Sequence, residues 1–212
     1  EFFKEKYTIY SRMILLFVIM LLLALIVLYF RKRMPPGPVV VVGNGPSLRG
    51  KDLGSRIDSF PNVIRINKFR TKGYENDVGS KTTGWHINEN FGLDWVKNKM
   101  KEDDLKLTWM GSRQIHKLIW SFPWIERYSF RTKVNGCKNF TSGTLAILHM
   151  VEKGYSPVYI AGISGTSGAY YFDQSQKTID RNKRNIKKTH CEDSEQQVLA
   201  DLLSSGKVVK ID

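Results

Sequence analysis

Cysteine is scarce: Cys137 and Cys191 are the only two in 212 residues. That excludes a small disulfide-stapled scaffold and a four-thiolate zinc site. Acidic residues are also in deficit, with 20 Asp plus Glu against 33 Lys plus Arg and a formal net charge of +13. Such an excess points to an anionic partner, and composition alone leaves nucleic acid, a membrane surface and a phosphorylated ligand open. There is no internal repeat and no long low-complexity tract. With 42% hydrophobic and 12% aromatic residues the chain is not wholly disordered. Neither a G-x-G-x-x-G fingerprint nor the G-K-[ST] of a phosphate loop occurs. Glu102-Asp103-Asp104 is the one acidic cluster that suggests a divalent metal; it reads better as the solvated end of a helix, and no metal is expected.

The most evident positive feature is apolar. Residues 13–30 contain no charge, proline or glycine. At about 1.5 Å per residue they span roughly 27 Å, the thickness of a bilayer's hydrocarbon core. Tyr10 and Tyr29 stand near the two ends, where amphipathic rings favour the interface. No small-residue cleavage pattern follows; instead come Arg31-Lys32-Arg33 and Met34-Pro35-Pro36-Gly37-Pro38. The chain therefore divides into a flank (1–12), a transmembrane anchor (13–30), a basic, proline-rich linker (31–38) and a domain over 39–212. Three positive charges lie on each side of the span, so charge does not set its orientation. The flanking cations suit lipid headgroups.

Within the domain, Val39-Val40-Val41-Val42 is an unbroken β-branched run ended by Gly43-Asn44-Gly45-Pro46. It predicts a strand buried on both faces, hence a parallel sheet. Further strands are expected at 62–67, 84–88, 106–110, 157–163 and 207–211, and helices at 93–101, 113–120, 142–153 and 193–204. In the last helix Val198, Leu199, Leu202 and Leu203 form one apolar stripe. Strands alternating with helices define a single α/β, Rossmann-like domain with a mostly parallel sheet, whose ligands bind beyond the carboxyl ends of the strands. The basic run 177–188 reads as a mobile loop.

The chemistry must then lie in loops. Asn44, Asn67 and Asn88 end three successive strands and offer amides to one crevice. Each suits a phosphate or ribose hydroxyl, or a plain strand exit. Thr141-Ser142-Gly143-Thr144 opens an apolar helix: Ser142 or Thr141 is a cap, and Gly143 lets an anion approach the first N–H groups. Of the four histidines, His149 lies in an apolar helix, His86 in a strand and His116 on a helix face. His190 differs, because it precedes the last helix beside Cys191-Glu192-Asp193-Ser194-Glu195. Thr189 and Glu192 have capping-box spacing. An imidazole there is placed to act as a general base or simply to enter the helix. Tyr170-Tyr171-Phe172-Asp173 is core or crevice wall, with a tyrosine hydroxyl able to donate to a leaving phosphate. The two cysteines read as structural.

Taken together, these pieces resemble the eukaryotic-type sialyltransferases (glycosyltransferase family 29), which share four short motifs in fixed order. The large motif is similar to Val41-Val42-Gly43-Asn44-Gly45-Pro46-Ser47-Leu48, Val63-Ile64-Arg65-Ile66-Asn67 and Gly73-Tyr74-Glu75-Asn76-Asp77-Val78-Gly79-Ser80-Lys81-Thr82-Thr83. This last stretch is the most specific, and periodicity does not explain it. The small motif resembles Thr141-Ser142-Gly143-Thr144-Leu145 through Tyr159-Ile160-Ala161-Gly162, the third resembles Tyr170-Tyr171-Phe172-Asp173, and the fourth resembles His190 with Glu195. The glycine and Thr-Ser-Gly segments also resemble the short bacterial sialyltransferases.

The resemblance implies a variant GT-A fold and an inverting transferase that uses CMP-sialic acid without a cofactor or metal. It implies His190 as base and Tyr170, where the family usually has histidine, at the departing phosphate. It places the donor against Asn44, Gly45, Asn67, Asn88, Thr141, Ser142, Gly143 and Gly162, with Glu195 and Tyr171 supporting. Run 177–188 falls where the family has a lid. The partners implied are a CMP-sugar, a glycan acceptor and membrane lipid, with no nucleic acid; the charge lies in the flank and one run, without an aromatic-interleaved basic strand. The location implied is a type II anchor with a lumenal, Golgi-type domain, a bacterial inner membrane being the alternative. Three departures stand out. The family's disulfide between large and small motifs has no counterpart, since Val39, Val40 and the vicinity of Gly154 lack cysteine. The domain is short, and Asn139-Phe140-Thr141 is a sequon overlapping the small motif, expected to be unused. A Kdo or other nonulosonic-acid transferase, and a non-catalytic nucleotide- or glycan-binding membrane protein, are the competing readings.

Overall fold

The computed structural model describes residues 2–30, 34–87, 91–105, 108–110, 125–127, 140–163 and 168–212. Helix α1 (Phe2–Phe30) carries the apolar run and continues back through the flank. Its described side chains, residues 10–25, are all exposed. Among the described residues no helix is long and apolar enough to cross a membrane.

The domain then runs β1 (Val39–Val42), α2 (Gly54–Asp58), β2 (Asn62–Ile66), α3 (Glu75–Val78), β3 (Gly84–Ile87), α4 (Leu93–Glu102), β4 (Thr108–Met110) and β5 (Ile125–Arg127). It closes with α5 (Ser142–Glu152), β6 (Val158–Ala161), α6 (Gln176–Thr189), α7 (Glu192–Ser204) and β7 (Val208–Lys210). One seven-stranded sheet forms in the order β5-β4-β3-β2-β1-β6-β7. Every neighbouring pair is parallel. Strand β5 had no signal in the sequence, and the helix expected at 113–120 lies outside the described residues.

The four valines of β1 show why the run is unbroken. Val39 and Val41 pack with Ile64, Ile66, Ala146, Ile147 and Met150 on one face, whereas Val40 and Val42 pack with Leu48, Ile57, Val63 and Tyr171 on the other. Period-two alternation thus buries both faces. In α7, Leu199 and Leu202 reach the first of these clusters, but Leu203 is exposed, so the expected stripe is only partly used.

Two local expectations are corrected. Run 177–188 is not a loop: it lies within α6, whose inner side is fixed where Thr178 Oγ1 donates to Asp173 (2.8 Å) and Asn182 Nδ2 donates to the Gly168 carbonyl (2.7 Å). The capping position of α7 falls on Cys191 and not on Thr189, which still belongs to α6. The proline-rich linker is docked, because Asn62 Nδ2 donates to the Pro35 carbonyl at 2.8 Å. Since Asn62 opens β2, the chain from α1 enters the domain at the amino edge of the sheet.

Candidate functional site

The chain runs from β1 to β5 in one direction and then crosses back to lay β6 on the free side of β1. The reversal lies between β1 and β6, and sheets of this kind bind ligands outside the carboxyl ends of such a pair. There the two loops are laced together. The Gly43 N–H donates to the Ala161 carbonyl (2.7 Å), and the Gly45 N–H donates to the Gly162 carbonyl (2.8 Å). A Cβ on Gly43 would stand 2.2 Å from the Gly162 oxygen, and Gly162 itself has φ +64°, so only glycine suits either position.

Asn44 is buried beside them. Its Nδ2 donates to the Ile66 carbonyl at 3.1 Å, which fixes the amide against the end of β2. Its Oδ1 is buried with no hydrogen-bond partner in the protein. Such an orphan acceptor is uncommon enough to signal a ligand or a water. Asn67 follows β2 with φ +47°, a left-handed conformation asparagine tolerates, and its carbonyl accepts from Trp85 Nε1 at 2.8 Å. Asn88 lies outside the described residues. At the start of α5, a Cβ on Gly143 would lie 3.5 Å from Ile163 and 3.7 Å from Ile66, which brings the small-motif helix to the same place. Ser142 is buried there.

The motif residues chosen for chemistry reach this crevice through their neighbours. Tyr171 is fully buried: its N–H donates to the Asn44 carbonyl (3.0 Å), and its hydroxyl accepts from the Arg70 N–H (3.0 Å) and donates to the Arg70 carbonyl. Burial pushes its phenol above the usual range. The half-buried Tyr170 precedes it, held by a reciprocal backbone bridge to Asp173 (3.0 and 3.2 Å) and stacked on Phe172 with ring centres 5.1 Å apart. Similarly, Glu195 reaches from the first turn of α7 to the start of α5. Its Oε2 accepts from the Thr141 N–H (2.9 Å), while Oε1 accepts from the Thr141 hydroxyl and from the Thr144 hydroxyl (2.5 Å). Thr141, at the N-cap position, makes no side-chain cap of its own; the remote carboxylate holds the helix start instead. The half-buried His190 is five residues before this anchor. Cys191 is disulfide-bonded, and the one other cysteine, Cys137, lies outside the described residues.

Sequence reasoning missed the buried polar network beneath the site. Arg65, fully buried, donates from Nη2 to the Val78 (2.8 Å) and Gly79 (3.1 Å) carbonyls and from Nε to the Lys81 carbonyl (3.1 Å) and Thr82 Oγ1 (3.0 Å). Burial lowers its guanidinium to about 10. Asp58 accepts from the Ser80 and Lys81 N–H groups, and Asp77 accepts from those of Gly50 and Asp52. The stretch most specific to the large motif is thus a clamp of charged side chains on backbone. His86 and His149 meet edge to face with ring centres 5.8 Å apart in the core, where burial depresses each imidazole to about 3. Among the described residues no three His, Cys, Asp or Glu side chains are gathered as metal ligands would be.

Comparison with known proteins identifies the class. Residues 37–152, more than half of the chain, match the model of glycosyltransferase family 29 (sialyltransferase), and the chain belongs to that family. A CMP-N-acetylneuraminate-beta-1,4-galactoside alpha-2,3-sialyltransferase of Mus musculus is 59% identical over 44 residues, which are 21% of this chain and 12% of the mouse protein. A human CMP-N-acetylneuraminate-beta-galactosamide-alpha-2,3-sialyltransferase 4 is 57% identical over 44 residues, 13% of its own length. In structure, a mammalian sialyltransferase in complex with Gal-beta-1-3GalNAc-ortho-nitrophenol superposes with TM-score 0.60 at 20% identity, over 82% of this chain and 69% of that one. A Campylobacter jejuni sialyltransferase in complex with cytidine-5'-monophosphate gives 0.57 at 20% identity, over 82% and 79%. Both share the fold.

Proposed function

We propose that the chain is a membrane-anchored, inverting glycosyltransferase that moves sialic acid from CMP-sialic acid to a glycan hydroxyl without a metal. The observation that carries this reading is Asn44. A buried amide oxygen without a protein partner stands at the β1–β6 reversal, beside Gly43 and Gly162, whose lack of side chains lets the two loops pack closely around it. A nucleotide supplies the missing donor, through a ribose hydroxyl or the exocyclic amine of its base, and the flat shape that such a cradle accepts. Family membership selects the CMP-sugar among nucleotides. The crystallised relatives support the same pairing, one holding cytidine-5'-monophosphate and the other a galactoside.

In this reading Asn44, Gly45, Asn67, Asn88 and Gly162 line the nucleotide side. Thr141 gives its N–H and hydroxyl to Glu195, so Ser142 and Gly143 are the residues of α5 that meet the donor. His190 takes the acceptor's proton as its oxygen attacks the anomeric carbon and the bond to the CMP phosphate breaks. Tyr170 donates to that phosphate as it leaves. The apolar run 13–30 is the anchor in this reading, on its sequence, and the catalytic domain is lumenal, in the type II manner. The linker is docked at the amino edge of the sheet, whereas the crevice lies at the carboxyl edge.

The test incubates the purified chain with CMP-Neu5Ac or CMP-Kdo and a galactoside, following CMP release and transfer. We expect release from CMP-Neu5Ac and a fall of about 100-fold or more in His190→Ala. Equal release by native and variant proteins removes His190 as base. Turnover of CMP-Kdo alone changes the donor.

A further inference from the structure

The structure assigns a positioning role to Asp212, a residue outside every motif discussed above. Its side chain is completely buried just beyond β7, at the same carboxyl edge as the crevice. Oδ2 accepts two hydrogen bonds, from the Ser47 hydroxyl at 2.7 Å and from the Gly162 N–H at 3.1 Å. Ser47 belongs to the loop after β1, and Gly162 to the loop after β6. One carboxylate oxygen therefore bridges the two loops that form the nucleotide cradle. The other oxygen, Oδ1, is buried without a hydrogen bond and lies 3.9 Å from the Lys210 ammonium.

A buried carboxylate is tolerated only where such donors compensate its lost hydration, so its placement is strongly determined. The consequence for the cradle is geometric. Gly43 has no room for a Cβ against the Gly162 oxygen, and a shift of either loop closes or opens the space in which the nucleotide sits. Two backbone hydrogen bonds already lace the loops, from Gly43 to Ala161 and from Gly45 to Gly162. Asp212 adds a tie through Ser47, at the 3-10 turn Pro46–Leu48. Where the family joins its large and small motifs by a disulfide, this chain has Val39 and Val40 in the sheet interior. The carboxylate tie between Ser47 and Gly162 joins the same two motifs beyond the carboxyl ends of β1 and β6. Asp212 thus acts through the loops and sets affinity for the donor.

This inference rests on the nucleotide reading of the crevice, and the test separates the two. CMP binding to the full chain in detergent is measured by calorimetry for native protein, Asp212→Ala, Asp212→Asn and Ser47→Ala, with circular dichroism as a check of folding. We expect Asp212→Ala to weaken CMP binding about tenfold. Asp212→Asn keeps an oxygen for both donors and is expected to stay within about threefold of native, with Ser47→Ala between the two. With CMP-Neu5Ac as substrate, KM rises in Asp212→Ala while kcat changes little, whereas a merely structural loss lowers the active fraction at unchanged KM. Native binding matched by folded Asp212→Ala overturns the inference and leaves the nucleotide reading intact. Should Asp212→Ala not fold, Ser47→Ala binding CMP as native does overturns it equally. No CMP binding by native protein overturns the nucleotide reading, and this inference with it.

Discussion

Glu195 is a carboxylate with three donors, and all three come from another element. It fixes the first turn of α7 on the start of α5, and His190 lies only five residues before that anchor. Glu195→Ala is expected to lower stability by about 2 kcal/mol in urea unfolding, from the loss of a charged cap. Glu195→Gln, which retains one acceptor oxygen, is expected to lose about half as much. Both variants are expected to lower transfer more than donor binding, because the segment next to Glu195 carries His190, the proposed base. The spacing from His190 to Glu195 was visible in the sequence. Its partner was not, since Thr141 lies 54 positions away and no periodicity relates the two helices. Asn44 is the opposite case: a glycine and then a polar side chain after four buried valines announce a strand end at a crevice.

Among the elements, β1, β2, β3, β6 and β7 were legible because their apolar runs are short and bounded by glycine, asparagine or proline. Strand β5, with Ile125, Glu126 and Arg127, has no such signature and is defined by its pairing with β4. Helix α6 was misread for a related reason. Six basic residues between 177 and 188 suggest a solvated loop, yet only one side of a helix need be apolar or hydrogen-bonded to hold it. The stretch 73–83 was recognisable only as a motif, because its cause is a buried arginine in β2 and an aspartate in α2. Arg65→Leu is expected to cost about 3 kcal/mol, since the carbonyls of Val78, Gly79 and Lys81 are left without donors in the interior. Hydrogen exchange is expected to quicken at residues 78–83 first, with the sheet protected until global unfolding.

At the scale of the molecule, acid is the expected weakness. Burial holds His86 and His149 near 3 in the fold, below the ordinary 6.5 of an unfolded histidine. Above 6.5 both states carry neutral imidazoles and nothing is lost. As the pH falls below 6.5 the unfolded chain binds protons that the fold refuses, and stability declines by about 1.4 kcal/mol per pH unit for each histidine. Asp58 adds to this at lower pH: burial raises its carboxyl, but the Ser80 and Lys81 N–H groups, the Ser80 hydroxyl and Arg65 together bring it below the usual range. Its contribution is present above the unfolded value and lost as the pH drops through the folded one. Thermal unfolding from pH 8 to pH 4 checks the sign, and His149→Phe is expected to flatten the slope between pH 6 and 4.

The placement of β6 has one further consequence, for synthesis. Residues 39–110 hold β1 to β4, and their pairing leaves β1 at the margin, its second side bare until residues 158–161 emerge. That margin is four valines long, without a charge to discourage pairing with another chain. On the ribosome the nascent domain therefore presents its most adhesive edge from the completion of β2 at Ile66 until β6 begins at Val158. The crevice comes into being only at the moment that edge is covered.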